Sequence, residues 1–167
     1  MGPRQLVFTA MLVSACAPKV LTIAPAPLDI DAATYMLQPG NSTIKGSALL
    51  RQRGGGVVTC AGNDVFLIPA TASVSQQLRQ LFGSEQGFVR RGGDETFGGG
   101  TLVAPPEPNR RTVCNAQGFF TFTNVRAGRW HIMTTVIWTV GEDHQGGTLL
   151  GTTQAPDARE VEVVLSY

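Results

Sequence analysis

Apolar residues along the chain fall in short runs separated by glycine, proline and polar turn residues. Runs of this kind, several with alternating apolar and polar positions, predict β-strands. The segments concerned are 42–52, 57–60, 64–70, 111–125, 128–140, 148–154 and 159–167. Within 111–125, the residues 115–118 form a turn signal, which predicts a β-hairpin. About seven strands of this spacing predict an all-β domain built as a single β-sandwich.

The period of two along a strand predicts which side chains face the core. Phe120 and Phe122 share one face of their strand, so we expect both rings to be buried between the sheets. On the next strand the large side chains that share one face are Trp130, Ile132, Val136 and Trp138. Both tryptophans are therefore predicted to be core residues, although exposed indole rings would suit sugar stacking as an alternative.

One segment has helical rather than strand spacing. Ser73 is placed to cap a helix and Gly83 to end it. The apolar residues that recur at helical intervals between them are Val74, Leu78, Leu81 and Phe82. The following residues, 84–110, are polar and rich in glycine and proline, which predicts a long loop. We therefore treat 72–110 as an insertion into a sandwich domain that spans 41–167.

The start of the chain has the layout of an export signal. Arg4 precedes an apolar run, 6–13, which is far shorter than the ~20 residues that a membrane-spanning helix needs. The next residues, Val-Ser-Ala-Cys ending at Cys16, resemble the lipobox of bacterial lipoproteins. The resemblance implies cleavage before Cys16 and acylation of its thiol and of the new amino end. An ordinary secretory signal and a short buried strand are the alternatives.

These features divide the chain into three parts. Residues 1–15 are predicted to be a lipoprotein signal peptide, and 16–40 a lipidated cysteine followed by a proline-rich tether. Proline-rich segments stay extended, so the tether would hold domain 41–167 away from the membrane. Ala17, after the cysteine, resembles the residue found in outer-membrane cargo. We expect a lipid-anchored protein of the bacterial outer membrane that faces the periplasm.

Composition limits the classes of partner and cofactor. Charged residues make up 15% of the chain and the formal net charge is +1, whereas a nucleic-acid binder needs a concentrated basic face. With Cys16 acylated, Cys60 and Cys114 remain, and in an exported protein such a pair predicts a disulfide. Unpaired thiols and a metal site are the alternatives, but no CxxC motif or neighbouring histidine supports a metal site. We predict no cofactor, no metal and no nucleic-acid partner.

Residues 118–132, GFFTFTNVRAGRWHI, resemble the GxFxFxNVxxGxYxV signature of carboxypeptidase-regulatory-like domains. The resemblance extends over 42–140, interrupted by the 72–110 insertion. It implies a prealbumin-like (transthyretin-like) sandwich, a fold that serves in stalks, adaptors and binding modules. An enzyme of that fold, hydroxyisourate hydrolase, carries a Tyr-Arg-Gly-Ser tail and a His/Arg set that have no counterpart here. We therefore predict that this chain is not an enzyme.

Two polar groups are candidates for a site. Residues 142–144, Glu-Asp-His, together with His131 have side chains suited to metal or acid–base chemistry. Consecutive turn residues do not converge on one point, however, so a solvated turn is the prediction. Four arginines of the insertion and its end would suit an acidic partner or anionic lipid, with a solubilising loop as the alternative; they are Arg90, Arg91, Arg110 and Arg111.

The sequence thus predicts a non-catalytic lipoprotein whose sandwich binds or helps to assemble another envelope component. Its partners would be the membrane, through the lipid anchor, and an envelope protein. The 72–110 insertion is the predicted contact surface, because loops on rigid scaffolds often carry function. The alternative is a module that binds a glycan such as peptidoglycan or exopolysaccharide. A third hypothesis, an envelope hydrolase, requires a convergent polar pocket that no motif indicates.

Overall fold

The structure is a computed structural model, and it describes residues 27–90 and 105–167, with the backbone alone for 27–29. Signal peptide 1–15, Cys16 and Arg91 lie outside the described residues. The elements in chain order are α1 (Pro27–Met36), β1 (Ser42–Arg51), β2 (Val57–Thr59), β3 (Asp64–Pro69), α2 (Ala72–Phe82), β4 (Gly87–Arg90), β5 (Arg110–Val113), β6 (Phe119–Val125), β7 (Gly128–Val140), β8 (Asp143–Ala155) and β9 (Glu160–Ser166).

The strands form two sheets that pack face to face. In the four-stranded sheet, β1 pairs antiparallel with β2 and β6 and parallel with β9. The five-stranded sheet is antiparallel and has the order β4-β8-β7-β3-β5. The predicted all-β sandwich with a short helix is confirmed. The described residues contain nine strands, and β4 is a strand that the sequence pattern missed.

The core lies between the sheets and contains the side chains that period two placed there. Phe120 and Phe122 from β6 are buried, and their ring centroids lie 6.1 Å apart in an edge-to-face arrangement. From β7, Trp130 and Ile132 are 0% exposed, while Trp138 is half-buried at the margin of the core. Burial of a large apolar side chain stabilises the folded state by about 1.5–3 kcal/mol, so these residues specify how the sheets pack.

The predicted hairpin over 111–125 is wrong in its pairing. β5 pairs with β3 in one sheet, whereas β6 pairs with β1 in the other. The turn itself is present, since the Asn115 side chain accepts hydrogen bonds from the amides of Gln117 (3.0 Å) and Phe119 (2.9 Å). Gly118 has a φ of 84°, and a Cβ there would meet the Thr59 side chain at 2.5 Å. A turn signal shows that the chain reverses but not which strand it pairs with afterwards.

A disulfide joins Cys60 to Cys114, with 5.8 Å between the two Cα atoms. Cys60 follows β2, and Cys114 lies where the chain crosses from β5 to β6. The bond closes a loop between residues 54 positions apart. In the chain-entropy account such a loop contributes about 4 kcal/mol to stability. The disulfide therefore fastens the two sheets together at the crossover.

Helix α2 covers the outer face of the five-stranded sheet. Its buried apolar side chains pack on the sheet in a second apolar cluster, whose buried members are Ile68, Val74, Leu78, Met133 and Leu150. Gly83 ends the helix, as predicted, and it does so in the left-handed conformation. The N-cap is Thr71 rather than Ser73, because Thr71 has extended backbone and its hydroxyl accepts from the Val74 amide (3.4 Å).

Two segments for which no helix or strand was predicted each contain one. The later part of the predicted tether folds as α1, and Met36 and Leu37 at its end pack against the core. Strand β4 lies within the predicted loop 84–110 and pairs with β8. Neither helix of the described residues is long and apolar enough to cross a membrane. Both corrections arise because a neighbouring strand or core surface stabilises a short segment whose own pattern is weak.

Candidate functional site

The structure does not bring the predicted basic residues together. Arg90 ends β4, while Arg110 and Arg111 belong to β5, and these two strands are the opposite edges of the five-stranded sheet. Arg111 pairs with Asp64 (3.2 Å). Arg110 donates to backbone carbonyls of β6, and its burial lowers the pKa of its guanidinium. Arg110 and Arg111 thus have structural partners, and the three described arginines do not form one surface.

The tryptophans do not form an exposed stacking surface. Trp130 is fully buried, and its indole N–H donates to the carbonyl of Arg126 (3.0 Å). The Trp138 indole donates to the side chain of Gln145 (3.2 Å) on the neighbouring strand and packs against the edge of the core. The prediction that Trp130 is a core residue is confirmed, whereas the side chain of Trp138 is only partly buried.

The two histidines also lie apart. His144 is exposed and hydrogen-bonds to Thr139 (3.2 Å) across the start of the β7–β8 hairpin. His131 lies near the start of β7, at the end of the strand away from the hairpin, and is completely buried opposite Thr152. No group of three or more His, Cys, Asp or Glu side chains that could hold a metal ion occurs in 27–90 and 105–167.

His131 is the centre of a buried polar network that the sequence did not indicate. Its two ring nitrogens are 2.8 Å from the hydroxyl of Ser75 in α2 and 2.8 Å from the hydroxyl of Thr152 in β8. Thr152 donates its hydrogen to the carbonyl of Glu85 (2.7 Å), so Nδ1 of His131 must donate to Thr152. Nε2 then accepts from Ser75. Desolvation lowers the pKa of His131 to about 4, which keeps the imidazole neutral.

This network supports one wall of a groove at the margin of the sandwich. The groove has a volume of about 190 Å3 and lies between β9 and the paired strands β4 and β8. Gln86, Gly87 and residues 150–152 form one wall, and residues 163–167 form the other. Thr152 belongs both to the wall and to the His131 network. Glu85 precedes the wall and forms ion pairs with Arg79 and Arg129.

Strand β9 presents a free edge to this groove. The amide of Thr43 donates to the carbonyl of Arg159 (3.0 Å), while Thr43 itself lies opposite Glu160. Backbone groups alternate in direction along a strand, so the odd-numbered residues of β9 bond to β1. The N–H and C=O groups of the even-numbered residues, among them Val164 and Ser166, point to the other side. No strand in the described part of the chain pairs with that side.

An exposed aromatic ring stands beside the groove. Tyr167 is 74% exposed, and its ring stacks on that of Phe88 with 4.9 Å between centroids and 26° between planes. Phe88 belongs to β4, so the stack spans the opening between the two sheets. Gly151 allows the walls to approach, because a Cβ there would lie 2.1 Å from Cδ2 of Leu165. One face of the Tyr167 ring therefore packs on Phe88, and the other face is open to solvent.

No charged side chain of a described residue contributes to the groove. Among the described residues, its lining contains no Asp, Glu, Lys, Arg or His side chain. It offers one aromatic ring with its phenol hydroxyl, the Gln86 amide, the Ser166 hydroxyl and the backbone groups of β9. Such a set suits ligands that combine an apolar surface with hydrogen-bonding groups.

Sequence reasoning did not identify this site. The alternation over 159–167 places Tyr167 on the same side as Val163 and Leu165, which was a usable signal. That signal does not reveal that the sandwich opens where β9 ends. Phe88 and Gln86 lie in the segment predicted as a loop, so their approach to β9 depends on the unpredicted pairing of β4 with β8.

Comparison with known proteins adds a likeness of fold. No protein-family model matches the chain, and no curated protein matches it. Among solved structures, the chain is similar to a crystal structure from Pseudomonas aeruginosa, described as that of a candidate carbohydrate-binding protein. The TM-score is 0.64 with 20% sequence identity, over 85% of this chain and 97% of the other. At this identity, the likeness shows that the two proteins share a fold.

Proposed function

We propose that this chain is a non-catalytic binding module that holds a saccharide in the groove between β9 and β8. The observation that carries the proposal is the exposed Tyr167 ring, supported by Phe88 beside neutral hydrogen-bonding groups. A pyranose has an apolar face of C–H groups and a rim of hydroxyls. An aromatic ring flanked by polar groups is complementary to both. The fold-level likeness to a candidate carbohydrate-binding protein supports the same reading.

The dimensions of the groove set the expected affinity. Its volume of about 190 Å3 is below the ~300–1,000 Å3 of pockets that enclose drug-sized ligands. We therefore expect one sugar ring to bind at Tyr167, with a Kd on the order of 1 mM, equivalent to about −4 kcal/mol. A longer oligosaccharide would bind more tightly by continuing along the β9 edge.

Titration of the 15N-labelled full chain with neutral hexasaccharides, followed by NMR, tests this function. Tyr167→Ala should weaken binding at least tenfold, because it removes the stacking surface. Tyr35→Ala is a matched control, since Tyr35 is also exposed, at 61%, but contacts Arg126 from α1. Equal losses in both variants, or none in either, would count against the groove. Absence of binding by every saccharide would refute the function.

The proposed role is non-catalytic for two reasons. No carboxylate of a described residue lines the groove to act as a general acid or base. The Ser75–His131 pair has a hydrogen bond suited to nucleophile activation, but both residues are buried where α2 packs on the sheet. Chromatography of the bound oligosaccharide after long incubation should show no cleavage products. Products that disappear in Ser75→Ala would overturn this part of the proposal.

We place this module at the bacterial outer membrane, facing the periplasm and anchored through lipid on Cys16. The support is the signal-like start of the sequence, the lipobox-like residues before Cys16 and Ala17 after it. Labelling of cells with radioactive palmitate should mark the wild-type chain and not Cys16→Ser. The variant should also leave the membrane fraction. Equal labelling of both chains would exclude Cys16 as the site of acylation.

A second candidate function is binding of an extended segment of an envelope protein. The observation that favours it is the free edge of β9, which could pair with a further strand. A photo-crosslinking residue at position 166, in intact cells, would detect it, with position 121 on the exposed face of β6 as control. Cross-links from 166 alone to successive residues of one extended segment would support this function. Cross-links from both positions, or from neither, would not.

A further inference from the structure

The donors and acceptors around the groove limit the charge of its ligand. The side chains of Gln86, Thr152 and Ser166 and the free backbone groups of β9 are all neutral. A carboxylate or phosphate placed there would lose water without gaining a cation in return. Removing even part of the water around an uncompensated charge costs free energy. An anionic ligand is therefore disfavoured by the lining itself.

The free edge of β9 adds a second restriction. The carbonyls of Val164 and Ser166 accept hydrogen bonds, and the amides of the same residues donate them. The Thr152 hydroxyl is not available, because it bonds to Glu85 and His131 on the face of the sheet that α2 covers. A ligand that satisfies the β9 groups must donate as well as accept, which hydroxyl groups do and carboxylates, which only accept, do not.

The charges nearest to the groove do not provide the missing cation. Glu85 holds Arg79 and Arg129 in ion pairs on the side of α2. On the exposed face of β9, Glu160 pairs with Lys45 (2.7 Å), and Glu162 adds a further negative charge. The flank beside α2 therefore has a small positive net charge and the flank beside β9 a small negative one. These described charges do not produce a concentrated field of one sign along the groove.

We infer that the groove is selective for a neutral, hydroxyl-rich saccharide and discriminates against uronic-acid and phosphorylated ones. This inference rests on the proposed function and specifies its ligand class. The apolar face of one ring stacks on Tyr167, its hydroxyls donate to the β9 carbonyls, and the β9 amides donate to ring or hydroxyl oxygens.

Pairs of hexasaccharides that differ only in charge test the inference. Each neutral chain, cellohexaose, maltohexaose or chitohexaose, is titrated beside its counterpart carrying carboxylates at C6, using the full chain. We expect the neutral member to bind at least tenfold more tightly at low salt. Its affinity should not change between about 20 and 500 mM salt, because no ion pair contributes. Tighter binding of the carboxylate form, with an affinity that falls in salt, would overturn the inference.

A charge-introducing variant sharpens the result. Gln86→Lys places a cation on the groove wall and should raise the affinity for the carboxylate form at least threefold while leaving Tyr167 stacking in place. Gln86→Leu is its control for loss of the amide. No gain with lysine would show that the ligand does not reach this wall, and would contradict the inference.

The failure of the inference differs from failure of the proposed function. If charged saccharides bind more tightly than neutral ones and Tyr167→Ala abolishes this binding, the groove binds saccharides as proposed, but the inference that it selects neutral ones is wrong. Binding of neither member of any pair would remove the saccharide function and this inference with it.

Discussion

The two edges of the four-stranded sheet differ in how their backbone groups are satisfied. At β6, Arg110 reaches across from the other sheet and donates to the carbonyls of Thr123 (2.6 Å) and Asn124 (3.0 Å). The amide of Gly40 donates to the same Asn124 carbonyl (3.1 Å). At β9, no described group does this for Val164 or Ser166. The chain thus covers the end of the β6 edge with one side chain and one backbone amide, and no described group covers the β9 edge in this way.

Other features follow the same division. The Cys60–Cys114 disulfide lies on the side where the chain crosses from β5 to β6. The β9 side instead has the small residue Gly151 and the stacked rings of Phe88 and Tyr167. The difference shows that the sandwich is covalently fastened at one margin and open at the other. A binding groove is expected at the margin where backbone groups and an aromatic ring remain exposed.

Loss of the disulfide should have the largest effect on stability. The double variant Cys60→Ser/Cys114→Ser should lower the free energy of unfolding by about 4 kcal/mol, because the unfolded chain regains its loop entropy. Urea denaturation of the wild type and the variant measures this difference. Saccharide affinity of the folded fraction should not change, since the groove lies at the other margin. A loss below about 1 kcal/mol would mean that the closed margin does not depend on this bond.

Proline substitution at two adjacent positions tests which side of β9 is free. Val163→Pro should cost about 3 kcal/mol, because the Val163 amide bonds to β1 and proline removes it. Val164→Pro should cost roughly 1 kcal/mol or less, because the Val164 amide faces the free edge, where proline is tolerated. It should nevertheless weaken saccharide binding. Equal destabilisation in urea would show that the Val164 edge is already paired.

Stability should depend on pH through the His131 network at the open margin. The pKa of His131 is about 4 in the folded state against 6.5 as its ordinary value. As pH falls from 6.5 towards 4, the unfolded chain takes up the proton first, so stability is full above pH 6.5 and decreases below it. Between pH 7 and 4.5 the loss from this group should be about 2 kcal/mol.

Two variants isolate this contribution to the pH dependence. His131→Gln should remove it, whereas His144→Gln should not, because His144 is exposed on the hairpin. Urea denaturation at both pH values measures the difference for each protein. The same pH dependence in wild type and His131→Gln would show that the buried imidazole is not responsible.

Opening the closed edge should have the smallest effect. Arg110→Ala should lower the free energy of unfolding by about 1 kcal/mol, because two partly exposed hydrogen bonds to β6 are lost. It should also increase self-association, measured by sedimentation, because a second strand edge becomes available. Arg110→Lys should be intermediate, since a lysine lacks the planar fork that reaches both carbonyls. An unchanged sedimentation profile for Arg110→Ala would weaken the proposed contrast between the two edges.

Much of the fold could be predicted from local sequence pattern. Alternation identified most strands and placed Phe120, Phe122 and Trp130 in the core, and helical spacing identified α2 with its end at Gly83. These predictions succeed because burial repeats with the period of the element itself. Strand β4 and helix α1 were not recognised as such, because their short patterns are weak without the surfaces against which they pack.

The sequence by itself therefore determined the class of fold, the buried faces of β6 and β7 and the two cysteines that the disulfide joins. Only the tertiary structure decided that β5 and β6 lie in different sheets and that Arg90 and Arg110 lie at opposite edges. It also decided that, among the described strands, none pairs with the edge of β9 beside Tyr167. The physical reason is that side-chain periodicity is a local property. Strand pairing and the closure of an edge depend on residues far apart in the chain, and the groove exists only where two such pairings leave a gap.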